Sequence, residues 1–306
     1  MLTNKPHNCF NEYIQTEILM LTSREIRQQI DSIKNTQKIT HAMQLVAASK
    51  IRQAQNRILA SRPYAQKIRT VIGHVANSHS EFHHAYLQPR KEIKRIAHIV
   101  ISSDRGLCGG LNTNLFKLIL NERKSWRKKN IDIDLCLIGK KATIFFKRTD
   151  INIVSQVGHV GASTINDIVG AIRATLLLYD KGQIDRVFIT YNEFINKITQ
   201  KPKIQQLLPL EVAEDESKGK YWDYIYEPDA SILLDTLIKR FIEAQVYQAI
   251  LENISCEHAA RMIAMKSATD NAGSLINELK SIYNKTRQAT ITREITEIIG
   301  GAEAIQ

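Results

Sequence analysis

The chain has 306 residues and a net charge of +11, because 42 Lys and Arg residues outnumber 31 Asp and Glu residues. A chain of this length forms one large domain or two ordinary domains of about 100–200 residues each. The hydrophobic share of 43% supplies enough apolar side chains for a core, which excludes a wholly disordered protein. The longest apolar runs are far shorter than the ~18–20 residues that a membrane-spanning helix requires.

The cysteines and the first residues bear on the compartment. The four cysteines lie far apart and form no C-x-x-C pair, which excludes a disulfide framework and a thiolate zinc site. Residues 1–19 contain Glu12 and Glu17, no Arg and no continuous apolar stretch. This pattern is unlike a secretory signal or a mitochondrial presequence, so we expect the chain to stay in the reducing compartment where it is made.

The N-terminal part of the chain is predicted to form one long basic helix. Residues 24–69 contain ten basic residues against two acidic ones, and Ser23 is a candidate N-cap. Apolar, small and polar residues recur here at alternating spacings of four and three, which is typical of a coiled-coil seam. Gln37, Thr40 and Gln44 weaken the middle of that seam. We expect the helix to kink or end near Pro63, since proline removes a backbone donor.

The C-terminal part is predicted to form a still longer helix. Residues 229–299 contain no proline and one glycine, Gly273, while their apolar residues keep a helical period. At 1.5 Å per residue such a helix extends about 100 Å, which a compact domain does not need. We therefore expect it to pair with the N-terminal helix in an antiparallel coiled coil.

Between the two helices, short apolar runs alternate with amphipathic segments. The pattern predicts strands at residues 95–103, 132–138, 151–157, 186–191 and 204–209, and helices at residues 111–129, 141–148 and 164–179. The fold class is therefore α/β, with a small Rossmann-like domain and a mostly parallel sheet inserted between the terminal helices. The predicted domains are an extension at 1–19, a helix at 20–90, the α/β domain at 91–228 and a helix at 229–306.

A glycine-containing segment follows the first predicted strand and leads into a helix. Its glycines, Gly106, Gly109 and Gly110, match neither the G-x-G-x-x-G pattern nor the P-loop, which favours a tight structural turn over a nucleotide site. If the turn needs a positive φ angle at Gly106, replacing this glycine with Val should impair folding of the α/β domain. Cys108 lies in the same turn with no evident base nearby, so we expect a packed and unreactive thiol.

The basic N-terminal helix suits two kinds of partner. Its charge would attract nucleic acid phosphates, although no aromatic residue lies between Arg24 and Arg62 to stack on bases. Acidic protein surfaces fit the same charge equally well. The composition leaves both open, together with a nucleotide-dependent enzyme as a third hypothesis.

Three long motifs, in the same order, resemble those of the ATP synthase gamma chain family. Residues 24–27 and 35–50, the latter reading NTQKITHAMQLVAASK, resemble its N-terminal helix, and DRGLCGGLN at 104–112 resembles its central signature. Residues 259–273 and 283–289, AARMIAMKSATDNAG and YNKTRQA, resemble its C-terminal helix. The resemblance extends from about Met20 to the end of the chain.

This resemblance implies a rotor shaft with no catalytic residue, cofactor or metal of its own. The implied partners are an alternating ring of alpha and beta chains, the epsilon chain and the membrane-embedded ring of c chains. The implied location is the cytoplasmic side of a bacterial inner membrane, as a peripheral protein. The coiled coil would turn inside the alpha–beta ring and couple proton flow to ATP synthesis.

The family motifs also imply contact residues. Rotor–stator contacts are expected at Lys38, Met43, Lys50, Arg261, Arg287 and Gln288. The surface that faces the epsilon chain and the c-ring is expected at Tyr221, Tyr224, Tyr226 and Glu227. The helix end at residues 295–305 would turn in an apolar bearing.

The sequence departs from the family pattern at two places. His41 occupies a position where the family often has Lys, which leaves that position without a fixed positive charge. Residues 1–19 have no family counterpart, and Met20 resembles a natural start. We therefore expect residues 1–19 to be either an artefact of start-codon choice or a dispensable extension.

Overall fold

The computed structural model describes residues 22–78, 85–90, 92–158, 165–210 and 230–303. Their contacts form two units, Met1–Leu45 with Met265–Gln306 and Val46–Ala264, which are described in turn. The helices are α1 (Ser23–Ser78), α2 (Leu111–Arg127), α3 (Lys140–Phe146), α4 (Ile165–Asp180) and α5 (Ala230–Glu303). The strands are β1 (Arg95–Ile101), β2 (Asp132–Ile138), β3 (Asn152–Val157), β4 (Arg186–Phe194) and β5 (Gln200–Leu208). The predicted α/β class with two long terminal helices is confirmed.

The unit of residues 46–264 is built on a five-stranded sheet in the order β3-β2-β1-β4-β5. The central strands β1 and β2 are buried from their second residue to their last, as parallel strands covered on both sides usually are. β1 pairs in parallel with β2 and β4, and β2 pairs in parallel with β3. β5 runs antiparallel to β4, because a short loop closes a hairpin and cannot make a crossover.

The two faces of the sheet are covered differently. On one face, α4 and parts of the terminal helices bury a large core that includes Ile68, Ile172 and Ile242. On the other face, among the described residues, α2 and α3 cover a second core, which includes Leu115, Ile119 and the α3 residues Ala142 and Phe146. The outer side of α2 and α3 is therefore a surface of this unit.

In the other unit, the first part of α1 and the last part of α5 pack against each other. Ile26 and Ile30 form an apolar cluster with Ile276 and Leu279. Further along α1, Gln37 contacts a residue that lies earlier in α5, Thr269, so the two helices run antiparallel. The predicted antiparallel seam is thus present in this unit.

The structure differs from two local expectations for α1, namely a helix end near Pro63, which was one of the two outcomes expected there, and the identity of the capping residue. The helix does not end at Pro63 but continues through it to Ser78. Its capping residue is Thr22 rather than Ser23, because Thr22 and Glu25 form a reciprocal capping box: Glu25 Oε2 accepts from the Thr22 amide at 2.8 Å, and Thr22 Oγ1 accepts from the Glu25 amide at 3.4 Å. These hydrogen bonds hold the pKa of the Glu25 carboxyl below its usual value.

None of the helices, over the residues that the structure describes, is both long and apolar enough to cross a membrane.

Candidate functional site

The turn between β1 and α2 holds the central sequence motif, and its backbone differs from the expectation in one respect. Positive φ angles occur at Leu107 (62°) and Gly109 (58°), not at Gly106. A Cβ atom at Gly106 would lie 3.7 Å from the Lys141 side chain, an ordinary contact distance. The positive φ angle on which the prediction for Gly106 depended is therefore not present, whereas Gly109 has the backbone conformation that favours glycine.

A glycine outside the predicted turn, Gly139, lies against the backbone of Ser102 with no room for a side chain. Gly139 precedes α3 with a φ of 106°, and a Cβ there would lie 2.4 Å from the Ser102 carbonyl oxygen. The amide of Ala142 also donates to Ser102 Oγ at 2.9 Å. Gly139 is thus required for the close contact between the ends of β1 and β2. The only sequence signal was a glycine between a predicted strand and a predicted helix.

Side chains inside the turn satisfy much of its polar backbone. Ser103 Oγ donates to the Arg105 carbonyl at 2.8 Å, and Asn112 Nδ2 donates to Ser103 Oγ at 2.7 Å. Asn112 Oδ1 accepts from the Ser103 amide at 3.2 Å. These bonds close the turn on itself, which is the arrangement of a structural turn. The helix that follows, α2, begins at Leu111, and its N-cap residue Gly110 has no side chain that could cap it.

Arg261 of α5 binds the same turn from outside. Its Nη2 donates to the Gly106 carbonyl at 3.0 Å and to Glu257 Oε1 at 2.7 Å, and its Nε donates to the Gly106 carbonyl at 3.3 Å. Arg261 is only 9% exposed, so these bonds lie in a largely dehydrated place. Burial raises the pKa of the Glu257 carboxyl, and Arg261 acts against that rise.

These bonds fix the position of Leu107 on the surface of the unit. This residue is 61% exposed and lies directly after the carbonyl group that Arg261 holds. A non-glycine residue with a positive φ angle is uncommon and is retained when its surroundings over-determine it. Arg261 was predicted from the family motifs to contact another chain. In the structure its guanidinium binds groups within its own unit, and the contact with another chain stays a prediction.

The cysteines near the turn are packed. Cys108 is buried with its Sγ 3.5 Å from Asn112 Nδ2, and burial raises the pKa of its thiol. Cys256 of α5 is also buried and donates from Sγ to the Asn192 carbonyl at 3.2 Å. Burial raises the pKa of this thiol as well. Both are therefore weak nucleophiles, in line with the expectation for Cys108.

The remaining candidates lie on the long helices or outside the described residues. On α1, Lys38 and Lys50 are exposed and Met43 is half-buried. On α5, Arg287 and Gln288 are exposed. The candidates for the epsilon chain and c-ring, Tyr221, Tyr224, Tyr226 and Glu227, lie outside the described residues, as does the extension at 1–19.

Gln37 and Thr40, the polar residues in the middle of the predicted seam, form a polar layer with α5. Their partners in α5 were not predicted from the sequence. Gln37 Nε2 donates to the Thr269 carbonyl at 3.3 Å, and the hydroxyls of Thr40 and Thr269 lie 2.8 Å apart. Opposite Gln37, a Cβ on Gly273 would lie 3.2 Å from Gln37 Nε2, so the glycine makes room for the amide. The sequence contained an indication of this layer, because Gln37 and Thr40 interrupt the apolar seam and Gly273 is a glycine inside a long helix.

Comparison with known proteins gives one consistent result. The family model described as ATP synthase matches residues 22–305. ATP synthase gamma chains of Coxiella burnetii strains Dugway 5J108-111 and RSA 493 / Nine Mile phase I are each 57% identical over 289 residues, covering 94% of this chain and 100% of the relative.

Solved structures share the fold. A chain of the Euglena gracilis mitochondrial ATP synthase, in the structure of its OSCP, F1 and c-ring in rotational state 3, superposes with a TM-score of 0.66 at 21% identity, covering 92% of this chain and 94% of that chain. A chain of the Tetrahymena thermophila mitochondrial ATP synthase central stalk and c-ring superposes with a TM-score of 0.55 at 24% identity, covering 75% and 99%. Together with the sequence relatives, these findings establish that the chain belongs to the ATP synthase gamma chain family.

Proposed function

We propose that this chain is the central rotor shaft of a proton-translocating ATP synthase. In this role it has no catalytic residue, and the beta chains perform the chemistry. The family match over residues 22–305 supports the assignment, and the antiparallel pairing of α1 with α5 supports the mechanical role. The chain would turn inside an alternating ring of alpha and beta chains.

The observation that most favours a shaft is the end of α5. The apolar pairing with α1 reaches Ile282 and Tyr283, and every described side chain from residue 287 to 302 is exposed. This exposed helix end includes Ile291, Ile295 and Ile298, the last of them 72% exposed. Exposed isoleucines on a single helix need a protein surface to cover them. A ring of chains around the helix end would supply that surface.

A shaft of this kind acts through unequal contacts. One rod without threefold symmetry touches three equivalent catalytic sites differently, so each orientation stabilises a different set of site conformations. Exposed Lys38 and Lys50 on α1, with Met43 between them, would face acidic loops of the beta chains. Arg287 and Gln288 would contact the ring farther along α5, and Arg261 would support the turn that presents Leu107.

At the membrane end of the proposed shaft, the epsilon chain and the c-ring would couple rotation to proton flow. We place Tyr221, Tyr224, Tyr226 and Glu227 toward the epsilon chain and the c-ring, following the family motifs. The complex would lie at the cytoplasmic side of the inner membrane, with this chain as a peripheral protein. The absence of a membrane-crossing helix among the described residues is compatible with that location.

The alternative of a nucleic-acid-binding coiled coil finds no support in the comparisons. It differs from the rotor in a simple measurement, because phosphate binding by a basic helix weakens steeply with salt and needs no other protein. A titration of the isolated chain with duplex DNA at several salt concentrations separates the two. The rotor assignment predicts only weak, non-specific binding.

The proposal is tested by assembly and coupling. A tagged chain, expressed with the other ATP synthase subunits, is purified and the partners are identified by mass spectrometry. We expect alpha and beta chains in the purified complex, no ATPase activity of the chain alone, and ATP-driven proton pumping in inverted vesicles. Complexes that hydrolyse ATP and pump protons equally well without this chain would overturn the assignment.

A further inference from the structure

The outer side of α2 and α3 has exposed apolar side chains that the rotor proposal does not use. Ile144 is 46% exposed and Phe145 is 37% exposed, and they are consecutive residues of α3. The opposite side of the same helix is buried in the core through Ala142 and Phe146. The exposed parts of Ile144 and Phe145 therefore lie on the outer side of α3, away from the core that Ala142 and Phe146 enter.

The ring of Phe145 is held in place by two other aromatic rings. It stacks on Phe116 of α2 with centroids 4.7 Å apart and an interplanar angle of 21°. It meets Phe146 edge to face at 5.0 Å and 86°. A ring that is fixed from two directions presents one flat apolar face at a defined position.

Basic residues flank this apolar pair on both sides along the chain. Two precede it by about one helical turn and two follow it, and they are Lys140, Lys141, Lys147 and Arg148. Over the residues that the structure describes, none of the four forms an ion pair. Residues 111–150 as a whole contain ten basic residues against four acidic ones. Ile144, Phe145 and these four basic residues are called the α3 surface below.

The arrangement indicates the chemistry of an occupant. The apolar pair offers a small hydrophobic contact, and the unpaired cations around it favour carboxylates over other polar groups. An amphipathic helix presents both, with apolar side chains three or four residues apart and acidic side chains beside them. We propose that the α3 surface binds an acidic amphipathic helix of a partner protein.

An anionic membrane would also attract these charges, but the aromatic geometry favours a protein. Membrane-surface segments insert apolar side chains several ångströms into the headgroup region. Phe145 instead lies flat against Phe116 and is only partly exposed, so it has little to insert. A flat and rigid apolar face suits a partner of fixed shape.

The test uses the full chain in its purified complex. Ile144 is replaced with the photoreactive residue benzoylphenylalanine, the complex is irradiated, and the crosslinked peptides are mapped by mass spectrometry. We expect crosslinks to a helical segment of another subunit that contains Asp or Glu residues. Crosslinks to lipid, to this chain itself, or to a segment without acidic residues would overturn the proposal.

Charge reversal tests the contribution of the cations. With Lys147→Glu and Arg148→Glu together, we expect the crosslink yield to fall at least about fivefold, since attraction becomes repulsion. The matched control is Lys128→Glu with Lys181→Glu, which makes the same change in net charge at two exposed positions outside the α3 surface. An equal fall in both variants would show a general charge effect and overturn the proposal.

A second probe keeps the proposal testable if no complex forms, an outcome that would count against the rotor function alone. The full-length chain is titrated with a fluorescent helical peptide of about 20 residues that has Leu on one face and Glu on the other. A peptide with Lys in place of Glu and vesicles of phosphatidylglycerol serve as comparisons. We expect saturable binding of the Glu peptide that the Lys147→Glu and Arg148→Glu variant weakens at least about fivefold. Equal binding by this variant, or a dependence on these residues only with vesicles, would contradict the proposal.

Discussion

The guanidinium of Arg261 donates to the backbone carbonyl of Gly106 through both Nε and Nη2, at 3.3 and 3.0 Å. One side chain thereby joins α5 to the turn between β1 and α2 within the unit of residues 46–264. The turn presents exposed Leu107 to the surroundings. Arg261 therefore positions a surface that another chain could contact, whether or not Arg261 touches that chain itself.

Replacing Arg261 tests this positioning role. Arg261→Ala removes the bonds to Gly106 and leaves the partly buried Glu257 without its cation, so we expect a loss of about 3 kcal/mol in unfolding free energy. The measurement is urea unfolding followed by circular dichroism. Glu257→Gln with Arg261→Ala should lose less than the sum of the single variants, because the two residues form one pair. If Arg261→Ala has normal stability but pumps fewer protons per ATP hydrolysed, Arg261 would instead act only through contact with another chain.

The glycines of the turn region give a matched pair of variants. Gly139→Ala places a Cβ 2.4 Å from the Ser102 carbonyl oxygen and forces a positive φ angle on alanine. We expect a destabilisation of about 3 kcal/mol or more. Gly106→Ala meets only the flexible Lys141 side chain at 3.7 Å, so we expect less than about 1 kcal/mol. Thermal melting of both variants measures the difference, and equal melting temperatures would contradict this description of the turn.

Buried His98 makes stability depend on pH. The ring lies in β1, hydrogen-bonded to Thr190 Oγ1 at 3.0 Å and stacked on Phe188, and burial lowers its pKa to about 4. The unfolded chain, with a pKa of about 6.5, binds the proton more tightly, so stability is present at neutral pH and is lost as pH falls from about 6.5 to 4. The loss attributable to His98 is about 3 kcal/mol.

The control for this pH effect is His98→Gln, which cannot take up a proton in that range. We expect a smaller slope of unfolding free energy against pH between about 4 and 6.5 in this variant. His258 keeps part of the slope, because burial, Arg261 and Lys50 lower its pKa to about 4 as well. An unchanged slope in His98→Gln would show that His98 is not buried in the neutral form.

The thiols provide a test of packing. Cys108, Cys136 and Cys256 are free and buried, and burial raises the pKa of each. In a Cys9→Ser background we expect the native protein to react very slowly with Ellman's reagent, because thiolate is scarce and inaccessible. Unfolding in guanidinium should expose all three thiols. Rapid reaction of one thiol in the native protein would identify a local opening near that cysteine.

The long elements were predictable from the sequence, because their patterns are local. The sparse glycine and proline of α5 and the apolar runs of β1 and β2 determine helix and strands within a few residues. The helix end expected at Pro63 is not present, because one proline removes a single hydrogen bond and neighbouring packing can retain the helix. Thr22 and Ser23 are both good caps, and only the position of Glu25 decides between them.

The contacts of the candidate site were less predictable because they join distant parts of the chain. Arg261 and Gly106 are 155 residues apart, and no periodicity of either segment encodes their hydrogen bond. The same is true of Gly139, whose need for glycine arises from the neighbouring Ser102 carbonyl. By contrast, Gln37 and Thr40 are recognisable as polar residues of the seam, so a polar layer between the two helices could have been predicted. Tertiary contacts, rather than local propensity, decide these positions.

The contact predicted for Met43 gives a mutational test of the rotor proposal. Met43→Lys adds a positive charge between Lys38 and Lys50 at the proposed contact with acidic beta-chain loops. We expect proton pumping per ATP hydrolysed to fall several-fold in inverted vesicles while the complex still assembles, because a new ion pair holds one rotor orientation too tightly. Unchanged coupling would remove Met43 from the contact.

The most direct measurement is single-molecule rotation. The alpha–beta ring is fixed to a surface, a gold particle is attached to this chain through an introduced cysteine, and ATP is added. The rotor proposal predicts continuous rotation in one direction that stops when ATP is withdrawn. ATP hydrolysis by the assembled complex while the particle on this chain stays fixed would contradict the proposal.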